Sequence, residues 1–160
     1  MSSVKNRLLL NSILILSILT LCIAYFIEYF LGHKPCNLCL IERIPYFAAI
    51  IFISFALFLN KYEKIISIVV GLFFIFGAIV SIYHVGIEKG IFSESLMCNI
   101  SNTLDNPSSE ELLKELEKKT ISCKEVTFSL FGISLATLNT LISILVAGII
   151  FKNLKNYEKN

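Results

Sequence analysis

Four stretches of this chain, residues 8–27, 44–60, 65–87 and 128–151, contain no Asp, Glu, Lys or Arg. An uncharged apolar run of about 20 residues is what an α-helix needs to cross the hydrocarbon core of a bilayer. The second run is the shortest, and it reaches that length only when residues 40–43 join it. The chain is 56% hydrophobic with a mean hydropathy of +0.77, values that belong to the membrane class and not to soluble domains. The predicted fold class is all-α, an integral membrane four-helix bundle. Its helices are expected over 8–29, 41–60, 65–87 and 128–151, within one domain spanning 1–160. Lys5 and Arg7 precede the first run as they would in a secretory signal. That run is too long for a signal, and no small-residue cleavage site follows Ala24-Tyr25-Phe26, so an uncleaved first helix is expected.

Orientation follows from the basic residues beside the spans. Lys5, Arg7, Lys61, Lys64, Lys152, Lys155 and Lys159 fall on one side, and Lys34, Arg43, Lys89, Lys114, Lys118, Lys119 and Lys124 on the other. The count is even, but Lys114, Lys118, Lys119 and Lys124 belong to a long loop, much of it away from the span ends. The first set sits compactly at the N-terminus, in residues 60–64 and in the C-terminal tail. Both termini are therefore expected in the cytoplasm, and the opposite face in an oxidising compartment where disulfides persist.

That outward face carries the only large polar segment, residues 88–127. Within it, Asn106-Pro107-Ser108-Ser109 is a break. Ser108 and Glu111 then have capping-box spacing, and Leu112, Leu113 and Leu116 form a narrow apolar stripe. A short amphipathic helix is expected over 110–119, either on the membrane surface or as a solvated spacer. Ala48, Ala49, Gly71, Gly77, Ala78, Gly132, Ser134 and Ala136 are small residues of the kind that let helices approach closely in lipid.

Four of the five cysteines lie just outside the spans. Cys36-Asn37-Leu38-Cys39 opens the second span, and Cys98 and Cys123 lie in the long loop. A Cys-x-x-Cys pair at a helix start lies where free N–H groups and the helix dipole favour a thiolate. Arg43 follows Cys39 by four residues, which on a helix puts it on the same face one turn deeper. An arginine at the membrane edge is costly and is normally paired or functional; here its bland role is an anchor paired to Glu42. Pro45 requires the helix to begin near Ile44 or to bend there. His84 ends the third span at the same membrane face, where it is either a packing residue or a donor to a polar head group between helices.

Other uses of these cysteines are possible. Cys36, Cys39, Cys98 and Cys123 could together hold zinc, but the second pair lacks the Cys-x-x-Cys spacing, and no metal centre is expected. Haem attachment needs a histidine where Leu40 stands. Two structural disulfides are the serious alternative, with Cys98 joined to Cys123 as a loop staple worth roughly 3 to 4 kcal/mol. A Cys-x-x-Cys disulfide is small and strained, and suits exchange better than stapling. Cys22, between Leu21 and Ile23, reads as a small buried hydrophobe without a redox role.

Lys34-Pro35-Cys36-Asn37-Leu38-Cys39-Leu40-Ile41-Glu42-Arg43 resembles the Pro-Cys-x-x-Cys-x-x-x-Arg signature of the DsbB family of bacterial inner membranes. Cys98 and Cys123 match that family's second pair. Tyr83-His84-Val85-Gly86-Ile87-Glu88 and the segment from Leu130 to Asn139 resemble the end of its third helix and the approach to its fourth. The resemblance runs over residues 8–151. It implies a thiol oxidase that regenerates a periplasmic thioredoxin-like dithiol oxidase, DsbA-like, and passes electrons to a membrane quinone, ubiquinone or menaquinone. It further implies that Cys98 forms the mixed disulfide with the partner, that Cys123 exchanges with Cys36, and that Cys39 and Arg43 face the quinone. His84 falls in the same quinone-facing region. No nucleic-acid partner is expected. The chain departs from the family in lacking tryptophan, so Tyr25, Tyr29, Tyr46 and Tyr83 must serve at the interfaces, and in an Asn-rich, acidic segment between Cys98 and Cys123. The competing readings are a non-catalytic scaffold braced by disulfides and a related reductase running in the opposite direction.

Overall fold

The computed structural model describes residues 2–59, 62–93, 123, 129–130 and 132–158. The amphipathic segment expected over 110–119 lies outside the described residues, as does Cys98. The described chain forms α1 (Ser2–Tyr29), α2 (Asn37–Ile41), α3 (Ile44–Leu59), α4 (Glu63–Glu88), the two-residue strands β1 (Ser129–Leu130) and β2 (Ile133–Ser134), and α5 (Leu135–Glu158). Among the described residues, four segments are long and apolar enough to cross a membrane: Asn6–Tyr29, Asn37–Leu59, Glu63–Glu88 and Leu135–Lys155. The second combines α2 and α3. At 1.5 Å per residue the 26-residue α4 is about 39 Å long, which spans a hydrocarbon core of about 30 Å.

α4 is the central helix. It packs most extensively against α5 and next against α3, while α1 packs mainly on α3. The core contains Leu10, Ile53, Val70, Phe74 and Ile150, and Tyr46 meets Phe74 edge to face with centroids 5.4 Å apart. The outward faces are apolar as well. Ile15, Leu19 and Ile23 of α1, Phe58 of α3 and Ile79 of α4 are exposed, the inverse of a water-soluble surface and the arrangement that lipid requires. At the end of the bundle holding the N-terminus of α1, buried Asn6 accepts from Asn153 Nδ2 at 2.8 Å and donates to Glu63 at 3.4 Å, and Arg7 pairs with Glu63 at 3.5 Å. That end is tied by polar groups from α1, α4 and α5.

The fourth span does not begin at residue 128. Ser129 pairs with Ser134 and Leu130 with Ile133 in an antiparallel hairpin, and α5 starts only at Leu135. Gly132 supplies the left-handed conformation of the turn, at φ 81°, and Ser134 Oγ accepts the Thr137 N–H at 3.2 Å to cap the helix. Gly132 therefore makes a turn and Ser134 a cap, not the interhelical contacts expected of them. The other small residues do pack: Ala48, Ala49, Gly71, Gly77, Ala78 and Ala136 are buried. Cys22 is exposed on the outer face of α1, not buried as its apolar neighbours implied. Leu21, one residue earlier and about 100° around the helix, takes the inward position.

The junction at Pro45 combines both expected solutions. α2 ends at Ile41, residues 42–43 form a turn, and α3 restarts at Ile44 with Pro45 in its first turn. The N–H groups of Tyr46 and Phe47 both reach back to the Arg43 carbonyl at 3.1 Å. A Cβ at Gly77 would lie 2.8 Å from Pro45 Cγ, so this junction needs a bare backbone on α4. Gly77→Ala should therefore destabilise the bundle by about 1 to 3 kcal/mol, as overpacking does. Gly148→Ala, with nothing within 4 Å of the added carbon, should be neutral or mildly stabilising. Detergent-titrated unfolding followed by circular dichroism measures both, and an equal effect at the two sites would remove the Pro45 contact as the cause.

Candidate functional site

Cys36 is the N-cap residue of α2, in extended backbone at φ −74° and ψ 168°. Its sulfur takes the place of the usual cap oxygen and accepts the Cys39 N–H at 3.4 Å. One helical turn brings Cys39 Sγ to 3.0 Å from Cys36 Sγ, with both thiols free. Cys36 is buried, whereas Cys39 is half-buried.

His84, near the end of α4, joins this pair. Its Nε2 lies 3.5 Å from Cys36 Sγ, and its Nδ1 lies 2.8 Å from Glu42 Oε1. A carboxylate only accepts, so Nδ1 carries the proton donated to Glu42 and Nε2 faces the thiol. The second oxygen of Glu42 accepts from Asn139 Nδ2 of α5 at 3.0 Å. The same amide donates to Ser81 Oγ at 2.6 Å, and its oxygen accepts from the Tyr46 hydroxyl. The result is a continuous, largely buried chain from Cys39 through Cys36, His84, Glu42 and Asn139 to Ser81 and Tyr46. It draws on α2, the 42–43 turn, α3, α4 and α5. Glu88 Oε1 stands 4.0 Å from His84 Nε2 on the same helix.

Cys123 is disulfide-bonded and lies in the same buried apolar cluster as Cys36, Leu38 and Ile87. The cysteine of the long loop is thus packed beside the cysteine that opens the second span, although 87 positions separate them in sequence. The end of α4 helps to shape this region. Gly90, at φ 71°, ends the helix, and the N–H groups of Ile91 and Phe92 turn back to the Gly86 carbonyl. The Phe92 ring is thereby folded over Gly86 and stacked on Tyr83, with centroids 5.5 Å apart.

Arg43 faces the other way. Its guanidinium pairs with Glu28 of α1 at 2.6 Å and sits over the Tyr25 ring, 4.8 Å from its centroid. Tyr25 in turn meets Phe47 edge to face. Glu42, the ion-pair partner that sequence spacing offered to Arg43, is occupied by His84 and Asn139. The cation is therefore half-buried between Glu28 and an aromatic ring, next to Leu40, Ile44 and Phe47, which are exposed.

A profile of the family described as "Disulfide bond formation protein DsbB" matches residues 6–152. The chain belongs to the DsbB family. It is a multi-pass membrane protein of the disulfide-bond-formation machinery, a class of thiol oxidoreductase. It is also 31% identical over 138 residues to "Uncharacterized protein RP370" of Rickettsia prowazekii (strain Madrid E), covering 84% of this chain and 80% of that one. No solved structure matches.

Of the residues singled out in the sequence, the structure unites Cys36, Cys39, His84 and Cys123 and turns Arg43 toward α1. Sequence reasoning passed over Glu42, Asn139, Ser81, Tyr46 and Glu28 as members of the site. Asn139 carried a usable signal, since a carboxamide in a span with no charged residue demands an internal partner. The Cys36 thiol is held down to about 4. Its hydrogen bond with Cys39 contributes most, burial opposes, and the hydrogen bond and charge of His84 lower it further. A lowered thiol keeps its thiolate above that pH and loses it as pH falls through it. In reduced protein kept metal-free with chelator, the Cys36-dependent ultraviolet thiolate absorbance should persist down to about pH 5 and fall around pH 4. A midpoint near the ordinary thiol value of about 8.5, taken against the Cys36→Ser background, would contradict the geometry.

Proposed function

We propose that the chain reoxidises a periplasmic thioredoxin-like dithiol oxidase of the DsbA type and delivers the electrons to a membrane quinone. The observation that carries this reading is the burial of disulfide-bonded Cys123 beside Cys36, whose own partner Cys39 is one turn away. A cysteine of each pair in one buried cluster favours exchange between the pairs; pairs bracing separate loops have no reason to share one.

The sequence of transfers balances. The partner's thiolate attacks Cys98 of a Cys98–Cys123 disulfide and releases Cys123 as thiolate; the partner's second thiol then resolves the mixed disulfide and leaves oxidised partner. The reduced loop pair is oxidised by a Cys36–Cys39 disulfide, with Cys123 attacking Cys36 and Cys98 closing the new bond. Two electrons and two protons now reside on Cys36 and Cys39. His84 Nε2 accepts and returns the Cys36 proton, with Glu42 holding the imidazole in the required tautomer. The quinone, when bound, is the two-electron, two-proton acceptor.

The outer surface suits such a ligand. Tyr25 and Phe47 present aromatic faces at the span ends, Arg43 offers a cation to a reduced oxygen, and Cys39 is the more exposed thiol. The basic residues around 5–7, 61–64 and 152–159 support cytoplasmic termini in a bacterial inner membrane, with the cysteines on the periplasmic side.

Mixing the purified protein, a ubiquinone analogue and a reduced thioredoxin-like partner, then following quinone absorbance, tests the reading. Turnover is expected, and Cys39→Ser should reduce it to the uncatalysed rate. No turnover by the unaltered chain, or full turnover by Cys39→Ser, would sink the oxidase reading in favour of a braced scaffold. The order of transfer has its own test. Cys123→Ala should trap the partner as a disulfide on Cys98, identified by peptide mapping, and recovery of the partner on Cys36 instead would reverse the order.

A further inference from the structure

The three atoms Cys36 Sγ, Cys39 Sγ and His84 Nε2 do more than conduct a proton. The ligand atoms of these three residues lie within 4.8 Å of one another, with Cys36 and His84 buried and Cys39 half-buried. Two thiols and an imidazole nitrogen are the donor set that soft d10 cations select. We propose that the reduced Cys36 and Cys39 pair, completed by His84, binds one thiophilic cation such as Zn2+, and that this holds the enzyme in its reduced form.

The geometry supports a ligand set over a chance cluster. Zinc bonds sulfur at about 2.3 Å and imidazole nitrogen at about 2.0 to 2.1 Å. A tetrahedral ion between the two sulfurs needs them about 3.8 Å apart, so the present 3.0 Å must open by less than 1 Å. Cys39 is the half-buried member of the pair, which gives both the freedom to move and a path of entry. His84 is already oriented as a ligand. Its Nδ1–H is committed to Glu42, itself fixed by Asn139, which leaves Nε2 facing Cys36 and able to bind a cation once the proton it takes from the thiol is displaced. Metal-bound histidines almost always donate the other ring N–H to a carboxylate, a backbone carbonyl or water, and such a partner fixes tautomer and ring and raises ligand basicity. Glu88 Oε1, 4.0 Å from Nε2, is at hand for the fourth position. This differs from the four-cysteine zinc set considered from sequence, since the imidazole replaces the loop pair.

Binding is gated by redox state. In the disulfide the sulfurs share a bond and offer no thiolate. In the dithiol, binding releases two protons and moves no electrons. Thiolates held by the metal are withdrawn from exchange, so the metal arrests the cycle only after the pair has been reduced. The proposal needs neither the partner nor the quinone.

The test uses the full chain in detergent, with Cys98→Ser and Cys123→Ser so that only the inner pair and Cys22 remain. Zn2+ is titrated against a chromophoric chelator after reduction by a phosphine, and again after oxidation. One Zn2+ per reduced chain and none per oxidised chain is expected. Bound Zn2+ should protect Cys36 and Cys39, but not Cys22, from alkylation mapped by mass spectrometry. Glu42→Gln should weaken binding about 10- to 100-fold, the usual effect of removing the carboxylate behind a ligating histidine. No saturable binding by the reduced chain overturns the proposal. So does binding retained after oxidation, or binding that leaves both cysteines open to alkylation. Because no quinone or partner is present, a chain that turns over quinone yet binds no Zn2+ removes this inference and leaves the oxidase reading standing.

Discussion

The structure depends on how one buried carboxylate is satisfied. Glu42 is 7% exposed and lies at the junction of α2 and α3, beside an apolar span. An ionised carboxylate in such a place is tolerable only when its oxygens are filled by donors. One oxygen takes the His84 N–H of α4, and the other takes the Asn139 amide of α5. Three of the four spans are thus pinned to one residue at the cysteine-bearing end of the bundle. The requirement of Glu42 and the positioning of Cys36 are one constraint, because the imidazole that satisfies the first also contacts the second.

This arrangement divides the two charged residues that adjoin in sequence. Glu42 turns inward to the thiols and Arg43 outward to α1. Had Glu42 paired with Arg43, the histidine would lose its orienting partner and Asn139 one of its two acceptors. Glu28 prevents this by taking the guanidinium at 2.6 Å, with Tyr25 stacked beneath it. The two faces of α2 can then do different chemistry: a proton path within the bundle, and a cation with aromatic rings at the lipid boundary. The break at Pro45 makes the division possible, since residues 42–43 leave the helix and their side chains can point to opposite sides.

The spans were legible because charge is excluded from lipid more strictly than any other pattern is enforced. The approach of Cys36 to Cys39 was legible because Cys-x-x-Cys fixes its own local geometry. The hairpin at 129–134 was not, because residues 128–151 read as a single uncharged run and hydropathy does not register a turn made by Gly132. Cys22 was misplaced for a related reason. In a span that is apolar on every side, period 3.6 hardly separates the lipid face from the core face, so Leu21 and Cys22 were interchangeable on sequence. The proper partner of Arg43 was hidden because Glu28 is 15 residues away and Glu42 is adjacent; only the packing of α1 on α3 decides between them.

Placing a thiol, an imidazole and a carboxylate in line at a bilayer edge solves a particular difficulty. Disulfide exchange creates and removes thiolate charge, and an apolar bundle resists such changes strongly. Water would ease them, but would also admit competing thiols and oxidants to the pair. The chain running from Cys36 to Tyr46 supplies fixed polar groups in place of water, so charge can appear on the sulfur without opening the bundle. The same fixed groups explain why the site is poised for a metal: preorganisation that gathers two sulfurs and an imidazole nitrogen and stabilises thiolate there favours any soft cation that reaches them and displaces their protons. Protection against such a cation must then come from keeping the pair oxidised, which is the condition that an electron acceptor in the membrane would maintain.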